Sequence, residues 1–132
     1  MGAARPLRVV SAEIQRDGRY LLTQRSAHAV LPLLWEFPGG RVRGGEEDLE
    51  ALARAVEHRI GVRIDGGERV LEVRHDYPDY SLILVVYRVE ISGEPAARAV
   101  EALAWVEPER FGDYTFPGAD QKTVDLLLTD ID

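Results

Sequence analysis

The sequence predicts an α+β fold in which a mixed β-sheet is sandwiched between α-helices. Three observations predict it. Strand signals fall in two blocks, each followed by a helical pattern, and the order strands, helix, strands, helix lays helices on the faces of a sheet. The longest apolar run, Leu82-Ile83-Leu84-Val85-Val86-Tyr87, has the length of a buried strand and is far short of a membrane span. The chain has 132 residues, 45% hydrophobic and 30% charged, which suits one globular domain over 1–132. A chain near this size buries about two thirds of its unfolded surface, so it needs no disulfide or metal to hold a core.

Each element has a local signal. Arg8 to Gln15 is rich in β-branched residues, Asp17-Gly18 is a hairpin turn, and Tyr20 to Gln24 reads as the returning strand. Residues 26–34 form an apolar loop with Pro32, and Phe37-Pro38-Gly39-Gly40 and Gly44-Gly45 mark two further turns. Leu49, Leu52, Ala53, Val56 and Ile60 keep helical spacing. Glu46, Glu47 and Asp48 stand where the helix dipole favours acids, Glu50 and Arg54 are spaced to pair, and Gly61 is placed as a C-cap. Val70–Arg74 and Ser81–Ile91 read as strands around a Tyr77-Pro78-Asp79 turn, and Leu103–Val106 as another. Pro108-Glu109-Arg110 starts a turn or short helical segment. The last helix runs from about Ala119 to Thr129, with Val124, Leu127, Leu128 and Ile131 on its apolar side.

Composition excludes several classes. There are no cysteines, so thiolate catalysis, disulfides and zinc-thiolate sites drop out. The net charge of −7 opposes charge-driven binding to duplex DNA or an anionic membrane. Residues 1–10, MGAARPLRVV, lack the apolar stretch of a signal peptide, so a cytoplasmic protein is expected. Lys122 is the single lysine among 16 basic residues, a bias we ascribe to a GC-rich genome.

The stretch Leu34 to Val62, LWEFPGGRVRGGEEDLEALARAVEHRIGV, resembles the Nudix family, in particular its MutT-like nucleoside triphosphate pyrophosphohydrolases. The family signature is G-x5-E-x7-R-E-U-x-E-E-x-G-U, with U a bulky aliphatic. Gly40, Glu46, Arg54, Val56, Gly61 and Val62 fall on it without a gap. The opening hairpin ending in TQR, the strand with Trp105 and the late FPGAD segment extend the likeness, and the resemblance implies the Nudix fold.

The resemblance also shows a departure. In the family, the three glutamates of R-E-U-x-E-E hold Mg²⁺ or Mn²⁺ from one helix face. Here those positions are Ala55, His58 and Arg59. Glu57 takes the variable position, about 100° from His58 and about 200° from Ala55 on a helical wheel, facing away. The family often adds a loop glutamate before the tryptophan strand; the count from Trp105 reaches Ala99, with Glu101 two residues off. What remains is the Gly39 carbonyl, His58 and Glu101, a poor set for a hard cation and made poorer by the fixed charge of Arg59.

The ligand-recognition positions are better kept. Arg25 ends the second strand, where relatives place an arginine near phosphates; its other reading is a solvated strand end. Trp35 and Phe37 flank Glu36 and serve either a nucleobase or the core. Asp120 aligns with a base-reading Asn or Asp and also suits a helix N-cap. Arg59 is able to hold phosphate oxygens bidentately without a metal, or to pair with Glu57 or Glu36.

The expected function is therefore a Nudix-fold protein with impaired catalysis that binds a nucleotide or nucleoside diphosphate derivative and needs no cofactor. Two alternatives stay open. One is an active pyrophosphohydrolase whose Mg²⁺ or Mn²⁺ site is rebuilt from His58, Glu101 and Glu36. The other is a protein-interaction module or homodimer, using the Ala29–Leu34 loop and the Leu82–Tyr87 strand. No helix-turn-helix is appended, so duplex nucleic acid is not an expected partner.

Overall fold

The first sheet is built around β1 (Leu7–Glu13). In the computed structural model, which describes residues 5–29 and 31–129, this strand pairs in parallel with β7 (Ser81–Ser92), placing Val9 opposite Leu84 and Ser11 opposite Val86. On its other edge β1 pairs antiparallel with β5 (Gly39–Arg41), and β6 (Arg63–Asp76) closes the sheet beside β7. The strand order is β5-β1-β7-β6. A smaller antiparallel sheet joins β2 (Gln15–Arg16), β3 (Arg19–Gln24), β4 (Trp35–Glu36) and β8 (Ala102–Val106). Helix α1 (Asp48–Ile60) covers one face of the first sheet, and α2 (Gly118–Thr129) lies over the other. A 3-10 segment, Pro108–Asp113, leads from β8 toward α2.

Local chemistry explains the elements. Asp17 and Gly18 take φ of 54° and 76°, the two positive values that a two-residue hairpin needs to match strand twist. Glu47 stands at the N-cap of α1, and its backbone N–H donates to Glu50 Oε1 at 3.0 Å. Gly61 ends the helix at φ 74°, with its N–H on the Glu57 carbonyl. Leu52, Val56 and Ile60 are fully buried against Val10, Ala12 and Val85, worth about 2 kcal/mol each by area.

The structure corrects several expectations. The buried face of α1 is Ala51, Leu52, Ala55, Val56 and Ile60, rotated from the spacing read in the sequence; Leu49 is 37% exposed and Ala53 half-buried. The rotation is imposed by β5, because Gly40 comes so close to the helix that a methyl there would sit 2.9 Å from the Ala55 Cβ. Glu50 does not take Arg54, since it bonds the N-cap while Arg54 turns to Glu46. Strand β6 is far longer than Val70–Arg74. In α2, Val124 and Leu127 are buried but Leu128 is 42% exposed, and Ile131 lies outside the described residues. The Leu82–Tyr87 strand is no dimer surface, because it is interior to the sheet between β1 and β6. Among the described residues, no helix is long and apolar enough to cross a membrane.

Candidate ligand-binding site

A cavity of about 340 Å³ opens between the first sheet and the start of α2. Strand alternation builds its floor. Val10 and Ala12 join the cluster under α1, so Val9 and Ser11 face the α2 side, beside Leu82 and Leu84 from β7. The β4–β5 corner supplies Glu36, Phe37, Gly39 and Gly40. This corner is pressed close to β1; a Cβ on Gly39 would collide with the Val10 carbonyl oxygen, so only glycine fits there.

Charge is concentrated at one end. Arg25, just past β3, donates from Nη1 to Glu36 Oε2 at 3.0 Å, and Arg59 Nη1 lies 3.8 Å from Glu36 Oε1. Two guanidiniums thus flank one carboxylate. Arg25 is fixed from behind, because its N–H donates to the Leu34 carbonyl and its own carbonyl accepts from Leu33. Arg59 reaches the site from the last turn of α1, beside Gly40.

Asp120 sits in the first turn of α2, 8% exposed, close enough to Glu36 and Arg25 to feel both charges. Burial pushes its carboxyl well above the usual carboxylate range, and the Glu36 carboxylate pushes the same way. A hydrogen bond from the Phe37 backbone and the charge of Arg25 oppose that shift without cancelling it.

The structure brings Arg25, Glu36, Phe37, Gly39, Gly40, Arg59 and Asp120 to this one cavity. Other sequence candidates lie elsewhere. Trp35 packs edge-on against Tyr114 at 5.0 Å, within the cluster of Leu22 and Val106, and does not line the cavity. Glu57, His58 and Glu101 are exposed and outside it. Glu46 and Arg54 form a two-pronged ion pair, Nε to Oε2 at 2.7 Å and Nη2 to Oε1 at 2.9 Å, and Arg54 also reaches the Arg41 carbonyl. Together with a bond from the Arg43 N–H, this holds the Glu46 carboxyl down at about 2. The pair clips the β5–α1 loop to the helix. Ala55 is a buried methyl against Gly40. Among the described residues no three His, Cys, Asp or Glu side chains gather into a metal-binding group.

Sequence reasoning missed part of the wall. Tyr77 and Tyr80 stack at 4.9 Å beside the cavity, and the Tyr77 hydroxyl accepts from the Ala119 N–H at 3.2 Å. Two aromatics bracketing the Pro78-Asp79 turn were the available signal. Ser11 carried none, being one small polar residue in a strand.

This cavity at the carboxyl end of α1, with two arginines and two acids set against apolar walls, is the candidate small-molecule site on the scaffold. Residues 9–126 match the family model of the NUDIX domain, and the chain belongs to the Nudix family. It is 34% identical to the CTP pyrophosphohydrolase of Escherichia coli over 92% of this chain and 91% of that protein. It is equally 34% identical to the 8-oxo-dGTP diphosphatase of Haemophilus influenzae, over 92% of this chain and 91% of that one. The crystal structure of a MutT NUDIX hydrolase from Burkholderia pseudomallei superposes with a TM-score of 0.80 at 27% identity, covering 92% of this chain and 98% of that one.

Proposed function

We propose that this Nudix-family protein binds a nucleotide through its phosphates without a divalent cation, and that the pyrophosphohydrolase chemistry of its relatives is impaired. The observation that carries the reading is Arg59. At a position where the family signature has a metal-binding glutamate, a guanidinium stands at the cavity and faces Glu36. The residues at the signature positions do not fit Mg²⁺ or Mn²⁺. Ala55 has no donor atom, His58 is exposed away from the cavity, and Arg59 adds a positive charge where a cation would have to sit. The same arrangement fits phosphate. Two guanidiniums exceed the one carboxylate between them by a unit charge, and each offers a planar fork of donors. Glu36 then acts as the counter-charge that holds both forks in place before a ligand arrives. The nucleoside triphosphates named for the relatives support a nucleotide as the ligand, and the apolar wall suits a planar base.

The test has two arms. Purified protein is assayed with CTP, 8-oxo-dGTP, dinucleoside polyphosphates and ADP-ribose, with Mg²⁺ and with Mn²⁺, and release of phosphate and pyrophosphate is followed. No turnover is expected. Nucleotide binding is then measured by calorimetry in EDTA; binding is expected, and Arg59→Glu is expected to weaken it about tenfold or more, the loss of one charge-assisted contact. Metal-dependent turnover that disappears in His58→Ala or Glu101→Gln would overturn the proposal.

A further inference from the structure

The cavity floor carries a hydroxyl for which the described residues supply no partner. Ser11 is 2% exposed and lines the cavity, yet its Oγ has no hydrogen-bond partner among the described residues. Its surroundings on that face are apolar, with Val9 on the same strand and Val86 opposite it in the parallel register. A buried, unpaired hydroxyl destabilises a fold, and alanine would fill the same space without that penalty. Glu13 Oε2 and Thr123 Oγ1 are likewise buried and unpartnered, but neither residue lines the cavity. The carboxylates that do line it are engaged, Glu36 with Arg25 and Asp120 with the Phe37 backbone.

We infer that Ser11 is a specificity-determining residue, its hydroxyl reading a hydrogen-bonding atom on the base of the bound nucleotide. The inference rests on the nucleotide-binding reading above. The phosphate-binding arginines sit at the charged end, so the apolar floor of Val9, Leu82 and Leu84 is left for the base, and Ser11 is the polar atom set into that floor. A hydroxyl both donates and accepts, so it serves an amino group, a ring nitrogen or a carbonyl, and it discriminates against a base that presents none of these at that point.

The experiment compares wild type with Ser11→Ala by calorimetry in EDTA, using CTP, 8-oxo-dGTP and base-free pyrophosphate, and records the thermal midpoint of each unliganded protein. Ser11→Ala is expected to unfold at the same or a higher temperature than wild type. It is expected to bind the preferred nucleotide about three- to tenfold more weakly, with pyrophosphate affinity unchanged. Unchanged nucleotide affinity and ranking in Ser11→Ala, alongside loss of binding in Arg59→Glu, overturns the role of Ser11 and leaves the phosphate site standing. Equal weakening of nucleotide and pyrophosphate also overturns it, as general damage to the cavity. Failure of wild type to bind either nucleotide overturns both readings together.

Discussion

Asp120 lines the cavity and Glu46 lies outside it, and their surroundings drive these two acids in opposite directions. Asp120 is buried beside Glu36, so its folded-state pKa is raised and the proton is held where the unfolded chain releases it at about 3.9. Such a group favours the folded state at low pH, and that advantage is lost as pH rises through the folded pKa. Asp120→Asn keeps an oxygen for the Phe37 N–H and removes the charge. Its thermal midpoint at pH 7 is expected to exceed wild type by on the order of a few degrees, with the gap closing near pH 4. Scanning calorimetry across that range checks it; a lower midpoint at pH 7 would contradict the burial argument. Glu46 behaves in the reverse sense. Its pKa of about 2 means that its pair with Arg54 stabilises the fold above the usual carboxylate range and is lost as pH falls toward 2. Glu46→Gln is expected to be less stable than wild type at pH 7 and to match it near pH 2, which denaturant titrations at the two pH values would show.

Among the elements, α1 sets the position of the site because Arg59 rides on its last turn. Gly61 ends that turn in the left-handed region, and a side chain there would also meet the Arg98 guanidinium at 2.5 Å. Gly61→Ala is expected to cost about 1–2 kcal/mol, seen as a lower urea midpoint with an unchanged m-value. Much of this element is legible in the sequence: its length, its acidic start and its glycine stop are all written locally. Its buried face is not. Ala51 and Ala55 are too weakly apolar to outweigh the spacing that Leu49 and Ala53 offer, and only the close approach of Gly40 demands the small residue at 55. The hairpin at Asp17-Gly18 is legible because two residues fix it. Strand β6 is hidden, since its outer residues are charged and register shifts between Asp65 and Glu68 and between Arg69 and Leu71 break the two-residue alternation. For the site, the Nudix likeness pointed to Arg25, Glu36, Arg59 and Asp120, which the fold gathers. Tyr77, Tyr80 and Ser11 depend on long-range pairing that no local pattern encodes.

At the scale of the whole molecule, the cavity is assembled from every third of the chain: Val9 and Ser11 near the start, Glu36 and Arg59 in the middle, Leu84 and Asp120 toward the end. These residues meet only when β1 has paired in parallel with β7 and α2 has docked over them. A form of the chain that has lost either the β1–β7 pairing or the docking of α2 lacks part of the cavity wall. Occupancy and global folding are therefore linked, and any compound that fits the cavity must raise the unfolding temperature. A ligand at a hundred times its Kd adds about 2.7 kcal/mol to the folded state. A heating curve is thus a readout of molecular fit that requires no turnover, and the chemical preferences of the cavity can be mapped by warming the protein beside one candidate compound after another.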